Sequence, residues 1–163
     1  MIVPMRLRIF LQSICELGRK MGSNPCQMLK RATMANSTEE EATLKKFVAR
    51  INAHDPSGIM TLCTTDHVFI DSLGSKLSGH EELERGWSGY FSLFPDYRIE
   101  LKSAVSDGTL VLACGFASAT HAPSQKTWRI PAAWRATLKD GRIAEWQVYA
   151  DNKPVYDLLS HHA

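Results

Sequence analysis

The apolar positions of this chain keep mostly helical spacing as far as Phe94, and from Tyr97 to Ala150 they alternate as in strands. Leu44, Phe47, Val48 and Ile51 recur at i, i+3, i+4 and i+7, so they share one face of a helix. Ser37-Thr38 with Glu40-Glu41 offers two overlapping capping boxes ahead of that face, with acids where the helix dipole favours them. Asp55-Pro56 ends this helix and starts a short second one through Ile59, Met60 and Leu62. His67-Val68-Phe69-Ile70-Asp71 reads as a strand, and Ser72-Leu73-Gly74-Ser75 as the loop after it. Helical spacing returns from Gly79 to Phe94, with Leu83, Trp87, Tyr90, Phe91 and Phe94 on the inner face, and Pro95 stops it.

Four long strands follow, at 97–105, 109–121, 126–138 and 142–150. Turn signals at Asp107-Gly108, Pro123-Ser124 and Asp140-Gly141 separate them, and a closing helix spans 154–159. Helices first and a run of strands after predicts an α+β fold, a curved and mostly antiparallel sheet wrapped around N-terminal helices. On strand 126–138, Trp128, Ile130, Trp134 and Leu138 share one face while Arg129, Ala133 and Arg135 share the other, so periodicity turns the tryptophans inward.

Composition narrows the function classes. A chain of 163 residues, 44% of them apolar and 22% charged, fits one soluble globular domain, and no apolar run has the length of a membrane span. The net charge of +2 conceals an asymmetry. Residues 1–33 hold six of the 19 basic residues and one of the 17 acids, which leaves 13 bases against 16 acids in residues 34–163. The folded part therefore has no basic stripe for nucleic acid. Cys15, Cys26, Cys63 and Cys114 show no CxxC or His/Cys ligand spacing. Cys63 and Cys114 sit in apolar runs and are expected as buried free thiols, which suits a reducing, cytoplasmic setting.

Residues 1–36 are expected to stand outside the fold as a basic extension, with the domain at 37–160. The extension is broken by Pro4, Gly18, Gly22 and Pro25, and its apolar stretch is too interrupted for a secretory signal. Two readings of residues 1–33 stay open: an organelle-import presequence, which would place the protein in mitochondria, or translation that begins at Met34.

The phrases FVARINAHDPSGIMTL, FIDSLGSKLSG and DGRIAEWQVYADNKPVY, in this order of elements, resemble the nuclear transport factor 2-like cone fold, especially its SnoaL-like and ketosteroid isomerase-like branches. The resemblance covers about residues 40–160 and implies a cone with a blind apolar pocket for a small hydrophobic ligand. It also implies pocket positions at Phe47, Trp87, Tyr90, Phe91, Ala133, Trp146 and Val148, and a homodimer formed through the sheet. Fold alone does not settle function here, because this architecture hosts both enzymes and binders.

Carried over residue by residue, the resemblance puts the general base of the ketosteroid isomerases at Asp71. The two oxyanion donors of that family fall on Phe47 and Ala133, neither of which can donate a hydrogen bond. Losing one such donor costs about 3 kcal/mol of transition-state stabilisation, which argues against steroid isomerisation itself. The Arg and two Asp of limonene epoxide hydrolases fall on Val148, Gly115 and Ala117, so that reading fails. Trp87 falls where the isomerases place a supporting Tyr, and Tyr90 is about one turn further on; either could polarise a substrate or simply fill the core. The resemblance also turns Ala133 inward, against the periodicity of its strand, and a bulge at Pro131 would reconcile the two. Without that bulge the tryptophans would form an exposed patch fit for a partner.

The remaining polar residues add little. His67 shares a strand face with Asp71 but lies on the order of 13 Å away, too far for a hydrogen bond. His121 reads as a turn residue, His161-His162 as a tail, and Asp151 as a turn or capping acid. No HxH, HExxH, GxGxxG, GxSxG or P-loop is present, so neither a metal nor another cofactor is expected. Two classes survive: a cofactor-free isomerase, cyclase or dehydratase in which Asp71 is the base toward a small hydrophobic carbonyl compound, and a non-catalytic apolar-ligand-binding or dimeric interaction module. Asp71 could equally be an ordinary loop-starting residue that satisfies its own turn.

Overall fold

The structure is a computed structural model that describes residues 38–160. The basic extension, Ser37, Cys15, Cys26 and His161-His162 lie outside the described residues. Helices α1 (Glu39–Asn52) and α2 (Pro56–Thr61) lead into strands β1 (Cys63–Ile70) and β2 (Lys76–Ser78). Helix α3 (His80–Leu93) precedes β3 (Arg98–Ser106), β4 (Leu110–Thr120), β5 (Thr127–Lys139) and β6 (Arg142–Ala150), and α4 (Lys153–Ser160) closes the chain.

The helix starts follow from their capping residues. Thr38 caps α1 by accepting from the Glu41 N–H at 3.2 Å, and Asp55 caps α2 by accepting from the Gly58 N–H at 2.9 Å, with Pro56 in the first turn. Leu44, Phe47, Val48 and Ile51 are all buried, as their spacing requires. At the other end of α1 the Asn52 side chain donates to Ile99 O at 2.9 Å and accepts from the Ile99 N–H at 2.8 Å. One amide thereby ties the helix to β3.

The strands form one six-stranded sheet in the order β2-β1-β6-β5-β4-β3. Every pairing is antiparallel except β1 with β6, which is parallel. Asp140-Gly141 makes the two-residue hairpin between β5 and β6, with φ of 52° and 72°, the twist a primed turn needs. Register shifts between Leu101 and Ser103 and between Thr137 and Leu138 mark bulges in the antiparallel pairs, devices that bend a sheet, and the β1–β6 pair shifts between Cys63 and Val68. The β4–β5 register runs unbroken through Phe116 and Pro131, so the bulge expected at Pro131 is not there. Pro131 is tolerated because β5 pairs with β6 only from Ala132 onward.

Without a shift at Pro131 the alternation of β5 is strict. Trp128, Ile130, Ala132, Trp134 and Ala136 are buried, and Arg129, Pro131 and Ala133 are not. The tryptophans face inward, which corrects the inward placement of Ala133. Cys114 corrects another expectation: it is exposed, 3.0 Å from Ser103 Oγ, because β4 alternates within what reads as an apolar run. Cys63 is buried, and desolvation pushes its thiol up to about 12.

Candidate functional site

A partly open cavity of about 320 Å³ is lined by residues of β1, β2, α3, β4, β5, β6 and α4 and of the loops beside them. That volume is at the small end of ligand sites. Trp87, Trp128, Trp134 and Trp146, all four tryptophans of the chain, line it, together with Phe69, Tyr90, Tyr97 and Tyr156. Trp134 and Trp146 stack at 6.1 Å with 9° between their planes, and Trp87 meets Tyr90 edge-on at 6.3 Å. Val148 and Ala150 continue the wall on β6, and Val155 and Leu159 of α4 complete it.

Among the described residues Asp71 is the one carboxylate that lines the cavity, and no Lys, Arg or His joins it. It follows β1 and opens the turn into β2. Its Oδ1 accepts from the N–H groups of Leu73 and Ser75, both at 2.8 Å, while its own N–H donates to Ser75 O at 3.0 Å. Asp71 therefore satisfies its loop with one oxygen. Oδ2 has no hydrogen-bond partner among the described residues. The following loop is tied to α4: Asn152 Nδ2 donates to Ser72 Oγ at 2.9 Å, and the Tyr156 hydroxyl lies 3.4 Å from the same oxygen.

The residues expected at a pocket divide into three groups. Asp71, Trp87, Tyr90, Trp146 and Val148 line one cavity. Phe47 and Phe91 do not reach it: Phe47 packs edge-on against Trp146 at 5.2 Å, and Phe91 stacks on His54 at 4.5 Å and on Trp87 at 5.3 Å. Both are core. Ala133 stands on the opposite side of the sheet, beside Cys114, Phe116 and Tyr149 at a shallow depression. Trp128 was expected inward by alternation but not as part of a site. Tyr97, Tyr156 and Asn152 carried no signal of their own in the sequence, since their roles come from elements that meet only in the folded chain.

The phenols are strongly desolvated. Burial pushes both Tyr90 and Tyr97 well above the ordinary tyrosine range, and for Tyr90 the neighbouring Tyr97 and Tyr156 add to the rise. Both stay protonated at any ordinary pH, so both can donate. Neither hydroxyl has a hydrogen-bond partner among the described residues. The Trp128 indole N–H is buried and has no hydrogen-bond partner among the described residues.

The histidines lie elsewhere. His67 is 1% exposed and its Nδ1–H donates to Ile143 O at 2.9 Å, while burial holds its pKa below the usual value. His121 is buried beside Phe94, with Nδ1 2.9 Å from Ser124 Oγ in the turn before β5. Asp151 has the turn role read from its position: its Oδ1 accepts from the Lys153 N–H at 3.1 Å at the start of α4. Among the described residues no group of three or more His, Cys, Asp or Glu gathers as a metal would need, and no helix is long and apolar enough to cross a membrane.

Known proteins place this architecture. The sequence profile of the SnoaL-like domain matches residues 44–146. Among solved structures, a candidate SnoaL-like polyketide cyclase from Jannaschia sp. CCS1 superposes with a TM-score of 0.69 at 16% identity, over 78% of this chain and 95% of that one. AclR, a candidate hydroxylase from Streptomyces galilaeus, gives 0.65 at 21% identity, over 78% of this chain and all of the other. TerC, co-crystallised with polyporic acid, gives 0.67 at 15% identity, over 76% and 99%. A comparison with curated proteins finds no match. At these identities the solved structures speak for the fold, whereas the profile spans more than half of the sequence. An α+β cone with an aromatic cavity, matched by that profile through both the helices and the sheet, belongs to the SnoaL-like domain family.

Proposed function

We propose that the cavity is a cofactor-free acid/base site for a small, flat, hydrophobic carbonyl compound, with Asp71 as the general base. The observation that carries this reading is the single carboxylate among the described lining residues, half satisfied by its own loop, in an otherwise uncharged and aromatic-rich lining. The bonds from Leu73 and Ser75 fix the orientation of the carboxylate, and Oδ2 is left to take a proton. In the step proposed, Oδ2 removes a proton from an activated carbon. The C–H pair becomes a carbon–carbon double bond, and the carbonyl π pair moves to oxygen as an enolate. Return of the proton to a different carbon of the conjugated enolate gives isomerisation; attack of the enolate carbon on a second carbonyl, whose oxygen takes the proton back from Asp71, gives cyclisation; and departure of a β-hydroxyl as water with that proton gives dehydration. The polyketide-cyclase neighbours support the same substrate class.

Proton exchange tests this reading without knowledge of the natural substrate. 2-Tetralone and anthrone carry acidic C–H bonds beside, and across a ring from, their carbonyl groups. In D2O the full-length protein is expected to speed deuterium uptake at those carbons, read by NMR, and Asp71→Asn to lose at least 100-fold of that rate. Binding of both probes with no exchange above solvent would leave a ligand-binding module instead, the reading favoured by the bonds that Oδ1 makes within its own loop.

We also propose a homodimer through the outer face of the sheet. That face exposes Leu112 (47%) and Tyr149 (46%) around the depression beside Cys114 and Phe116. Sedimentation equilibrium is expected to give a dimer that Leu112→Arg converts to monomer, and a monomeric wild type would refute it.

A further inference from the structure

We infer that Tyr90 and Tyr97, supported by Trp128, form the wall of the cavity that binds a carbonyl oxygen of the ligand. This rests on the carbonyl-substrate reading above and supplies what Phe47 and Ala133 cannot. Phe47 is sealed in the core against Trp146, and Ala133 is on the other side of the sheet, so no donor stands at either position.

The donors come instead from α3 and the segment just after it. Tyr90 and Tyr97 both line the cavity, with ring centroids 5.0 Å apart and planes at 86°. Trp128 follows at 6.1 Å from Tyr97, on β5. The geometry is held from behind. Phe94 packs on Tyr90 at 4.8 Å, the Tyr97 N–H donates to Phe94 O at 3.1 Å, and His54 Nε2–H donates to Tyr97 O at 2.9 Å. Rings so positioned keep their hydroxyls in place before a ligand arrives, which is what an oxyanion-type site requires.

One buried donor without a partner among the described residues, the Trp128 indole N–H, on the same stretch of wall as two phenols that line the cavity and make no hydrogen bond there, is the observation that points to a ligand. Buried polar groups are nearly always hydrogen-bonded, and a donor left without a partner destabilises the fold. An acceptor oxygen on an apolar body would satisfy them. A carboxylate-bearing ligand would find no counter-charge among the described residues, since none of the Lys, Arg or His there lines the cavity. The raised phenol pKa values agree with this assignment, since a phenol that stays protonated is always a donor.

The test compares 2-tetralone with tetralin, its analogue without oxygen, by calorimetric titration of the full chain. Wild type is expected to prefer 2-tetralone. Tyr90→Phe and Tyr97→Phe are each expected to weaken 2-tetralone about fivefold and to leave tetralin unchanged, which also shows that the cavity is intact. The infrared carbonyl stretch of bound 2-tetralone should lie below its value in hexane and move back up in each variant. Equal loss of both ligands, no loss of either, no preference in the wild type, or no binding of 2-tetralone would each overturn the donor wall. Asp71→Asn separates this inference from the base reading. It should abolish proton exchange while the preference for 2-tetralone persists, and exchange that survives Asp71→Asn alongside intact Tyr effects would remove the base and keep the wall.

Discussion

Asn52 is a sharp test of how this fold is held around its cavity. It is the last residue of α1, and its amide makes both hydrogen bonds to the backbone of Ile99 on β3, at 2.9 and 2.8 Å. Asn52→Ala deletes both. Each bond contributes roughly 0.5–1.5 kcal/mol net, and each partner left unmet in a buried site costs about 1–3 kcal/mol. Both bonds are part-buried and Asn52 itself is half-buried, so water replaces some of what is lost and the cost stays near the net value of the two bonds, about 2.5 kcal/mol. Alanine recovers roughly 0.5 kcal/mol of helix propensity. The expected net loss is about 2 kcal/mol, read in urea denaturation as a lower midpoint at unchanged m value. Asn52→Asp keeps an acceptor for the Ile99 N–H but sets a carboxylate against Ile99 O, so it should be no better than alanine. A loss under about 0.5 kcal/mol for Asn52→Ala would show that α1 is held by its apolar face alone and refute the reasoning.

Three further outcomes follow from the same structure. Burial, with a smaller contribution from His80, lowers the pKa of His67, opposed by its bond to Ile143 O and by Glu145 and Asp66. The unfolded chain thus binds the proton more readily, and stability should fall as pH drops below about 6.5, by at most about 1.4 kcal/mol per pH unit; a His67→Phe variant that retains this slope would refute the assignment. A Cβ at Gly115 would lie 1.9 Å from Glu100 O, so Gly115→Ala should cost about 3 kcal/mol in thermal unfolding. Gly89, with open space around it in α3, should gain about 0.8 kcal/mol as alanine, and equal effects at the two glycines would contradict the β3–β4 geometry. Ala132→Glu should be more destabilising than Ala133→Glu by over about 2 kcal/mol in urea unfolding, because only the first puts a charge in the cavity wall; parity between them would reverse the assigned faces of β5.

Local pattern determined a good deal of this protein. The face of α1, the caps at Thr38 and Asp55, the extent of α3 and the four long strands were legible because each depends on residues within a few positions of one another. Alternation along β5 put Trp128 and Trp134 on one face, but with the resemblance turning Ala133 inward, which face is buried was decided only by the unbroken register with β4. Asp71 at a strand end was legible as well, but not that one of its oxygens is taken by the loop and the other left over. What the tertiary structure decided is what distant segments do together. The parallel pairing of β1 with β6 joins strands more than 70 residues apart, and no local period encodes it. Phe47 and Phe91 left the cavity for the core because their neighbours Trp146 and His54 come from other elements. Tyr97, Trp128 and Tyr156 entered it because α3, the sheet and α4 converge there. A site assembled from such convergence becomes visible only once the chain has closed, whereas its carboxylate, its helices and its strands are written in short stretches.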